Sequence, residues 1–296
     1  MSVDLLTHAF SVLMVFRPLE SPLFIAFGVT GTLLPDADIL FRSFSDKNPG
    51  LYIFSHGGIT HSIPGAILLA IVSFVCILIL DITGVIHLAA SPEFWLSGLA
   101  MVLAGSILHI TLDYLAYPGI PLLYPVSDRK YTLGIFPGPS LFLLAVSVIY
   151  FALLLTGVAG IAALSIYAAV FFVFLVVNII KKIIVIHKFG GQTIPAFNPF
   201  VWLLVTEEPD FFMVRKYSML HGINEKHSFQ KREGLTEEEL DSVFNHPEIK
   251  RVRYFSYFTV AERKDDKIRV YDPLREQRLI FYPPFYRSAS VGPPGS

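Results

Sequence analysis

Residues 63 to 82 have the sequence IPGAILLAIVSFVCILILDI, a run of 20 residues whose only charged member is Asp81, close to its end. A helix needs about 20 mostly apolar residues to cross a hydrocarbon layer about 30 Å thick. A helix also satisfies every backbone polar group within the segment, as the interior of a bilayer demands. This run therefore predicts a transmembrane helix.

Three further stretches have the same character, at residues 94–115, 140–157 and 161–184. The chain as a whole is 53% hydrophobic and 16% charged, against about 25% charged residues in average globular domains. Charge is scarce as far as Ile180 and dense after Gly190. We therefore expect a mainly α fold, with a polytopic transmembrane helix bundle over residues 1–190 and a small soluble domain after it.

The N-terminal part of the bundle contains two apolar segments that are too short to span a membrane. Leu5 to Phe16 and Pro22 to Leu34 are separated by a polar turn that includes Arg17 and Glu20. This pattern predicts a hairpin of two short helices over residues 4–35. Such a hairpin brings its first residues, near His8, beside its last residues, near Asp36.

Lysine and arginine fall in alternate connections of the predicted bundle. The connections 83–93 and 157–160 contain none, and the basic residues lie in the other connections at Arg42, Lys47, Arg129, Lys130, Lys181, Lys182 and Lys188. Positively charged loops stay in the cytoplasm. We therefore expect a multi-pass protein of the inner or plasma membrane with its C-terminal domain in the cytoplasm.

The pattern changes to short strand-like segments over residues 191–290, which predicts a small α+β domain. A Thr-Glu-Glu-Glu sequence at residues 236–239 is typical of a helix capping box. Residues 291–296 are expected to be a disordered tail. The predicted strands cover residues 200–206, 211–217, 252–261, 268–271 and 279–282.

Several functional classes are excluded by composition. The net charge of −1 and the pI of about 6.8 do not favour a nucleic-acid partner. The single cysteine, Cys76, excludes an intrachain disulfide and any multi-cysteine metal site. The chain contains no Walker A loop and no dinucleotide-binding glycine motif. It also lacks the G-x-S-x-G nucleophile elbow that would make His56-Gly57-Gly58 part of a lipase.

Four polar motifs interrupt the apolar half of the chain, each at an expected cytoplasmic helix end. His109 and Asp113 are four residues apart, so they share one face of a helix. His56 and His61 flank a Gly-Gly pair, after which Ser62 is placed to cap the next helix. The motifs are Thr7-His8, Leu34-Pro35-Asp36-Ala37-Asp38, residues 55–62 (SHGGITHS), and His109 with Asp113.

These residue types point to a metal site. Imidazole and carboxylate ligands suit Zn, Mn or Fe, and an aspartate can bridge two ions. Taken singly, each motif also has an ordinary explanation: a hydrogen-bonded His-Asp pair, an acidic loop leaving the membrane, or a serine helix cap. Polar groups at a membrane are costly, however, and mark functional sites. Four motifs on one side predict one or two divalent ions, with Zn the leading choice, and hydrolysis as the chemistry.

The ordered set of motifs resembles the YdjM-like family of inner-membrane-associated metal-dependent hydrolases. The resemblance covers roughly residues 5–140 and rests on T-H, L-L-P-D-A-D, H-G-G-I-T-H-S, S-I-L-H-I-T-L-D and P-G-I-P-L-L-Y-P. It implies that Asp38 and His61 belong to the catalytic site, without assigning a role to either. It also implies that Tyr124 shapes the mouth of the site, and Ser62 and Tyr124 are the candidate substrate-binding residues. The metal ligands that it implies are His8, Asp36, Asp38, His56, His61, His109 and Asp113.

The resemblance also suggests a substrate. The family is distantly similar to zinc-dependent phospholipase C and to P1-type nucleases, which implies a phosphoester, such as that of a lipid headgroup, in contact with membrane lipid. Relatives usually have His-Arg-Gly where this chain has His56-Gly57-Gly58, so an arginine that would anchor phosphate is missing here. Some members bind a transcriptional repressor, which implies a protein partner for the C-terminal domain.

Two rival hypotheses use the same features. One is a membrane anchor whose C-terminal domain recruits a cytoplasmic partner. The other is a metal-ion transporter, which needs more polar residues within the spans than this sequence has. The hydrolase hypothesis predicts that the purified protein holds a transition metal, and that His109→Ala or Asp38→Asn loses it.

Overall fold

A computed structural model describes residues 3–17, 21–88 and 91–292. The chain forms two compact units. The first combines Met1–Arg42 with Ile53–Ile179, and the second combines Ser43–Tyr52 with Ile180–Ser296.

The first unit is helical apart from one short parallel pair of strands, β1 (Ala116–Tyr117) and β2 (Phe136–Pro137). Two short 3-10 helices, Leu34–Phe41 and Ile59–His61, carry several of the polar motifs. Its α-helices are α1 (Leu5–Phe16), α2 (Pro22–Leu33), α4 (Ile63–Ile82), α5 (Pro92–Leu115), α6 (Leu141–Leu155) and the first part of α7 (Leu164–Phe189). The turn predicted between α1 and α2 includes residues 18–20, which lie outside the described residues.

Serine side chains define where three of these helices begin. The Ser62 hydroxyl accepts a hydrogen bond from the Gly65 amide at 3.0 Å, and Ser91 and Ser140 cap α5 and α6 in the same way. Such caps satisfy amides that have no partner within the helix. The cap of Ser62 fixes the start of α4 at Ile63, two residues after His61.

Four helical segments within the described residues are long and apolar enough to cross a membrane: Pro22–Lys47, Ile63–Ile82, Pro92–Leu115 and Leu164–Phe189. Three of them correspond to predicted spans. The predicted span at 140–157 is the 15-residue α6, which is shorter than this class. The fourth member of the class is instead the continuous helical run that begins with α2, where the sequence predicted only a short helix.

Close packing of α2 against α5 positions the end of each helix. A Cβ atom on Gly31 would lie 2.0 Å from the Val102 carbonyl oxygen, and one on Gly105 would lie 2.1 Å from the Gly28 carbonyl oxygen. Only glycine permits this approach, as is common where membrane helices meet. Across the contact, the Ser106 hydroxyl donates to the Gly31 carbonyl at 2.9 Å. The 3-10 helix that follows α2 is thereby held beside the last turns of α5.

The second unit contains two four-stranded sheets. Their strands are β3 (Gln192–Pro195), β4 (Val201–Glu207), β5 (Phe211–Ser218), β6 (Gly222–Gln230), β7 (Arg232–Glu233), β8 (Val260–Lys264), β9 (Lys267–Tyr271) and β10 (Ser288–Val291). The first sheet is an antiparallel meander in the order β3-β4-β5-β6. The second sheet has the order β10-β9-β8-β7, with β7 parallel to β8. The helices of this unit are α3 (Arg42–Lys47, from Ser43 onward), the end of α7, α8 (Glu237–Phe244), α9 (Pro247–Phe255) and α10 (Pro273–Glu276).

Part of the strand prediction for this unit was wrong. Residues 252–261 were predicted as one strand, but they form the end of α9, a turn and the start of β8. Residues 279–282 form no strand, whereas β3 and β6 were not predicted. The tail was expected to be disordered from residue 291, but Val291 pairs with Ile268 as the last residue of β10; residues 293–296 lie outside the described residues.

The guanidinium of Arg275 organises the C-terminal end of this unit. Arg275 is 1% exposed, and its Nε donates to the Asp272 carboxylate at 2.8 Å. Its other nitrogens donate to the Ser256 hydroxyl and to three backbone carbonyls, those of Pro283, Phe285 and Tyr286. A buried guanidinium is stable only when its donors are satisfied in this way. The Asp272-Pro273-Leu274-Arg275 motif is therefore structural.

Candidate metal centre

The structure brings all seven predicted ligands together within the first unit. His8 lies on α1, and His109 and Asp113 lie on one face of α5. Asp36 and Asp38 lie on the 3-10 helix after α2, His61 lies on the 3-10 helix before α4, and His56 lies just ahead of it.

Asp36 is at the middle of the cluster. Its Oδ1 atom lies 3.3 Å from Nε2 of His61 and 3.7 Å from Nε2 of both His56 and His109. His8, Asp36 and His109 form one group of candidate metal ligands, and Asp36, His56 and His61 form another. Asp36 is therefore shared by two possible ligand sets.

Asp113 occupies the opposite side of the cluster. One carboxylate oxygen lies 3.2 Å from Nε2 of His8, and the other lies 3.4 Å from Nε2 of His61 and 3.5 Å from Nε2 of His109. The rings of His8 and His109 are stacked, with centroids 3.8 Å apart. Four imidazoles and two carboxylates thus direct their ligand atoms into one small volume.

The spacing of these atoms fits a metal ion. Ligands of tetrahedral zinc lie about 2.0–2.2 Å from the ion, which places neighbouring ligand atoms roughly 3.3–3.6 Å apart. The separations between Nε2 and carboxylate oxygen atoms in the cluster are 3.2–3.7 Å. These atoms therefore already have the spacing of ligands around a common cation.

In two of the histidines, His109 and His56, the second ring nitrogen, Nδ1, makes a hydrogen bond of its own. Nδ1 of His109 lies 2.6 Å from the Thr32 carbonyl oxygen, which only accepts, so Nδ1 carries the proton. Nδ1 of His56 makes a short hydrogen bond with Oδ1 of Asp38. A proton on Nδ1 leaves a lone pair on Nε2, and this is the form of imidazole that binds a metal.

Asp38 faces the Nδ1 side of the histidines. Its Oδ2 atom accepts from the Gly57 amide at 3.1 Å and from the Thr60 hydroxyl at 2.5 Å, and it lies 3.3 Å from Nδ1 of His61. Asp38 is 2% exposed. It thus lies behind two ligand imidazoles, whereas Asp36 lies on their Nε2 side.

The Gly-Gly pair allows the loop that presents His56 to fold this tightly. Gly57 has a φ of +79°, in the region that favours glycine. A Cβ atom on Gly58 would lie 1.8 Å from the Ile53 carbonyl oxygen. This tight turn lets the Gly57 amide reach the Asp38 carboxylate.

Several buried polar atoms of the cluster have no hydrogen-bond partner among the residues that the structure describes. They are both ring nitrogens of His8, Nε2 of His61 and of His109, and both carboxylate oxygens of Asp113. Buried polar atoms are almost always satisfied in folded proteins. A cation coordinated among them supplies the missing interaction, so the donor set fits a metal ion.

The cluster attracts positive charge. Burial disfavours the charged form of His61, but its close contacts with the carboxylates of Asp36 and Asp38 outweigh burial and raise its pKa to about 10. His61 lies outside the apolar spans, just ahead of α4. The carboxylates around it thus favour a cation at this position, either a proton or a metal ion.

The cluster is closed on most sides. The side chains of His8, His61, His109 and Asp113 are at most 1% exposed, whereas that of Asp36 is 16% exposed and that of His56 is 6% exposed. Among the described residues of the cluster, Asp36 is therefore the one most open to its surroundings.

The two residues that were predicted to bind substrate, Ser62 and Tyr124, differ in their burial and in their hydrogen bonds. The buried Ser62 hydroxyl accepts from the Gly65 amide and donates to the Ile59 carbonyl, so it is fully used as a helix cap. Tyr124 is half-buried and precedes a cis proline, Pro125. Among the described residues, no hydrogen bond or ion pair joins Ser62 or Tyr124 to the cluster.

The family to which the chain belongs follows from a direct comparison. The family model described as YdjM inner membrane protein matches residues 3–185. This chain belongs to the YdjM family. The match confirms the resemblance drawn from the motifs and covers the helices that carry the cluster. No curated protein and no solved structure matches the chain.

Sequence reasoning missed two contributors to this YdjM-family site. The Thr32 carbonyl fixes His109 through the backbone, which leaves no signature in the side-chain pattern. Thr60 lies within the SHGGITHS motif, but no role was predicted for it. Its hydroxyl makes hydrogen bonds with Asp38 and, at 3.0 Å, with Nδ1 of His61. The presence of a hydroxyl side chain between His56 and His61 is the sequence signal that could have indicated this role.

Proposed function

We propose that this chain is a membrane-bound metal-dependent hydrolase that acts on an ester, with a phosphoester or lipid-related ester as its best candidate substrate. One observation carries the proposal. Six ligand atoms from four separate chain segments meet at metal-ligand spacing, and several of them are buried without a hydrogen-bond partner. This arrangement is costly unless a cation occupies it.

The ligands proposed for the metal are Nε2 of the four histidines and the carboxylates of Asp36 and Asp113. Asp36 belongs to two of the ligand sets, so it is the natural bridging residue if two ions bind. Asp38 is proposed to act through His56 and His61, because its oxygens face their Nδ1 atoms. It fixes the tautomer and direction of these rings, as carboxylates behind metal-binding histidines generally do.

A divalent ion in this position would lower the pKa of a coordinated water towards ~7 and stabilise negative charge that develops on the substrate. The side chains around the ion have their own roles in the proposed reaction. Asp36 is the carboxylate of the cluster that is most open to its surroundings, so it is best placed to hold a proton from the entering water. His61 is proposed to contribute as a ligand: its Nε2 lies near both Asp36 and Asp113, and its Nδ1 lies near Asp38.

The membrane assignment is supported by the family and by the four apolar helices. We propose that the bundle crosses the inner membrane several times and that the second unit lies in the cytoplasm. The alternate placement of Lys and Arg in the connections supports this topology. The cluster then lies at the cytoplasmic membrane face.

Transport of the metal is less well supported than hydrolysis. A transport path needs further polar stations along the spans. Several span hydroxyls in the described part of the chain instead donate to carbonyls of their own helix, as those of Thr30, Ser73 and Thr111 do. The anchor hypothesis depends on the second unit, whose partner stays a prediction.

The test uses the full chain, purified in detergent. Elemental analysis is expected to find one or two transition-metal ions per chain, and bis(p-nitrophenyl) phosphate or p-nitrophenyl acetate is expected to be hydrolysed. His109→Ala should lose both metal and activity. The matched control is His187→Ala, which changes an exposed histidine of α7 far along the sequence from the motifs.

Equal metal content in the wild type, His109→Ala and His187→Ala would reject the metal site. Stoichiometric metal without turnover of either substrate would favour the anchor or transport hypothesis. Metal uptake into proteoliposomes then tests transport. Loss of biological function after removal of residues 195–290, but not after replacement of the ligands, would establish the anchor.

A further inference from the structure

An apolar groove lies between α4 and α5, on the helix turns that also carry the metal cluster. Its walls include Ile63, Ala66 and Ile67 from the first turns of α4, and Ile107 and Ile110 from the last turns of α5. The volume of the groove is about 220 Å³. We call this feature the α4–α5 groove.

The groove has three polar lining residues, Ser106, Thr111 and Tyr114, and the hydroxyls of the first two are already hydrogen-bonded within the protein. The Ser106 hydroxyl donates to the Gly31 carbonyl, and the Thr111 hydroxyl donates to the Ile107 carbonyl. Two of the three hydroxyls are thus already used, and the other six lining residues are apolar, so a polar ligand would lose more hydration here than it would regain in hydrogen bonds. The groove therefore suits a hydrocarbon occupant.

The size and setting of the groove identify that hydrocarbon. Pockets for whole drug-sized ligands have about 300–1,000 Å³, so this groove accommodates only a slender part of a molecule. Both of its helices are candidate membrane spans. Ile67 is 37% exposed and Ile107 is 55% exposed, so the groove opens at the surface of these helices. In a membrane, that surface faces acyl chains.

The groove lies at the same level of α4 and α5 as the metal cluster. Ile63 follows His61 by two residues, and Ile110 directly follows His109. Neighbouring residues of a helix point about 100° apart, so His109 and Ile110 lie on adjacent faces of α5. A chain in the groove therefore brings the polar end of its lipid to the level of the cluster.

We propose that the α4–α5 groove binds one acyl chain of a membrane lipid whose ester or phosphoester is the substrate of the metal cluster. The catalytic half of this proposal rests on the proposed hydrolase function. The binding half does not, since a chain fits the groove whether or not turnover occurs.

The kinetic test compares two substrates that share one reacting group, ethyl p-nitrophenyl phosphate and hexadecyl p-nitrophenyl phosphate. Ile107→Trp fills the groove from its exposed rim. The matched control is Leu68→Trp, which is 62% exposed on α4 and is not part of the groove. The measured quantity is the ratio of kcat/KM for the long substrate to that for the short one.

Ile107→Trp is expected to lower this ratio about tenfold, the order of effect of burying two methylene groups, and Leu68→Trp is expected to leave it unchanged. Ile67→Trp provides a second groove variant if Ile107→Trp does not fold. A ratio that is unchanged in the groove variants, or that changes equally in Leu68→Trp, overturns the proposal.

A second measurement works without turnover. The full chain is placed in phosphatidylglycerol vesicles that contain a phosphatidic acid with a diazirine near the end of one acyl chain, and the cross-links are mapped by mass spectrometry. Labels concentrated on the groove residues, and lost in Ile107→Trp, support the binding site. Labels spread evenly over the exposed faces of α4 and α5 overturn it. If a metal-loaded protein hydrolyses neither substrate, the proposed function fails, and the labelling alone decides whether the groove binds a chain.

Discussion

Replacement of Asp38 by asparagine tests whether this residue orients the ligands or is itself a ligand. Its carboxylate accepts hydrogen bonds from Nδ1 of His56, from the Thr60 hydroxyl at 2.5 Å and from the Gly57 amide at 3.1 Å. Asparagine has the same size but only one oxygen, and its amide group donates. In any orientation, therefore, at least one donor of the loop faces another donor.

The expected loss is moderate. Residues behind metal-binding histidines typically change metal affinity 10- to 100-fold when mutated, which corresponds to about 1.4–2.7 kcal/mol. The sequence alone predicted that Asp38→Asn loses the metal, but the position of its carboxylate near the Nδ1 atoms changes this expectation. Asp38→Asn should therefore still bind the metal, with a dissociation constant raised about 10- to 100-fold. His109→Ala removes a ligand atom itself and should lose the ion under the same conditions.

The assay is a competition titration of the detergent-purified chain against a chromophoric chelator. Asp81→Asn is the matched control, because Asp81 is an aspartate at the end of α4 that accepts from the Leu88 amide and is not part of the cluster. An unchanged affinity in Asp38→Asn would refute the orienting role. A loss as complete as that of His109→Ala would show that Asp38 is a ligand, and the assignment of its oxygens to the Nδ1 side would be wrong.

Two further predictions concern the helices that support each unit. Gly31→Ala places a methyl group about where the Val102 carbonyl lies, so we expect a lower yield of folded protein and less bound metal. The control is Gly160→Ala, whose methyl group meets no atom within 4 Å and should change neither quantity. Equal behaviour of the two variants would disprove the packing argument. In the second unit, hydrogen bonds from the Thr236 backbone and from Arg263 hold the pKa of Glu239 below its ordinary value of 4.5. The stabilisation from ionised Glu239 is therefore present above about pH 4.5 and is lost as the pH falls through the lowered value. Hydrogen exchange of α8 should show more protection in the wild type than in Glu239→Gln at neutral pH, a difference that shrinks in acid; a difference independent of pH would contradict this account.

The apolar helices were predictable where their limits are set by local chemistry. The span predicted at 63–82 coincides with α4, because Ser62 supplies a cap and Thr83-Gly84 ends the apolar run. The last span was predicted to end at Ile184, but α7 continues to Phe189. Lysines near that end limit a membrane span, yet they do not end a helix, since their long side chains reach the interface.

The errors in the second unit have a different cause. Residues 252–261 are rich in Val, Tyr and Phe, which favour strands. The helix there is set by what precedes it: His246 accepts from the Glu248 amide as a cap, and Pro247 occupies the first turn. A local start signal and burial of Val252 and Phe255 override the composition of the segment.

The identity of the cluster was predictable, but the role of each member was not. Histidine and aspartate at helix ends are visible in the sequence, and the hairpin of α1 and α2 gave a reason for His8 to meet Asp36. Which carboxylate faces Nε2 and which faces Nδ1 depends on rotations of a 3-10 helix and a glycine turn, and sequence spacing does not encode them. The contribution of the Thr32 carbonyl is likewise a backbone effect.

The charge of the cluster links the number of ions to the kind of substrate. With neutral imidazoles, the carboxylates of Asp36, Asp38 and Asp113 give a net charge of −3. One divalent ion leaves −1, which repels an anionic phosphodiester and favours a neutral carboxylester. Two divalent ions give a net charge of +1, which attracts the anionic phosphodiester. This charge would replace the phosphate-anchoring arginine that is missing from His56-Gly57-Gly58. We therefore expect chains with two ions to prefer bis(p-nitrophenyl) phosphate and chains with one ion to prefer p-nitrophenyl acetate. A strong phosphodiesterase activity at one ion per chain would show that another group anchors the phosphate.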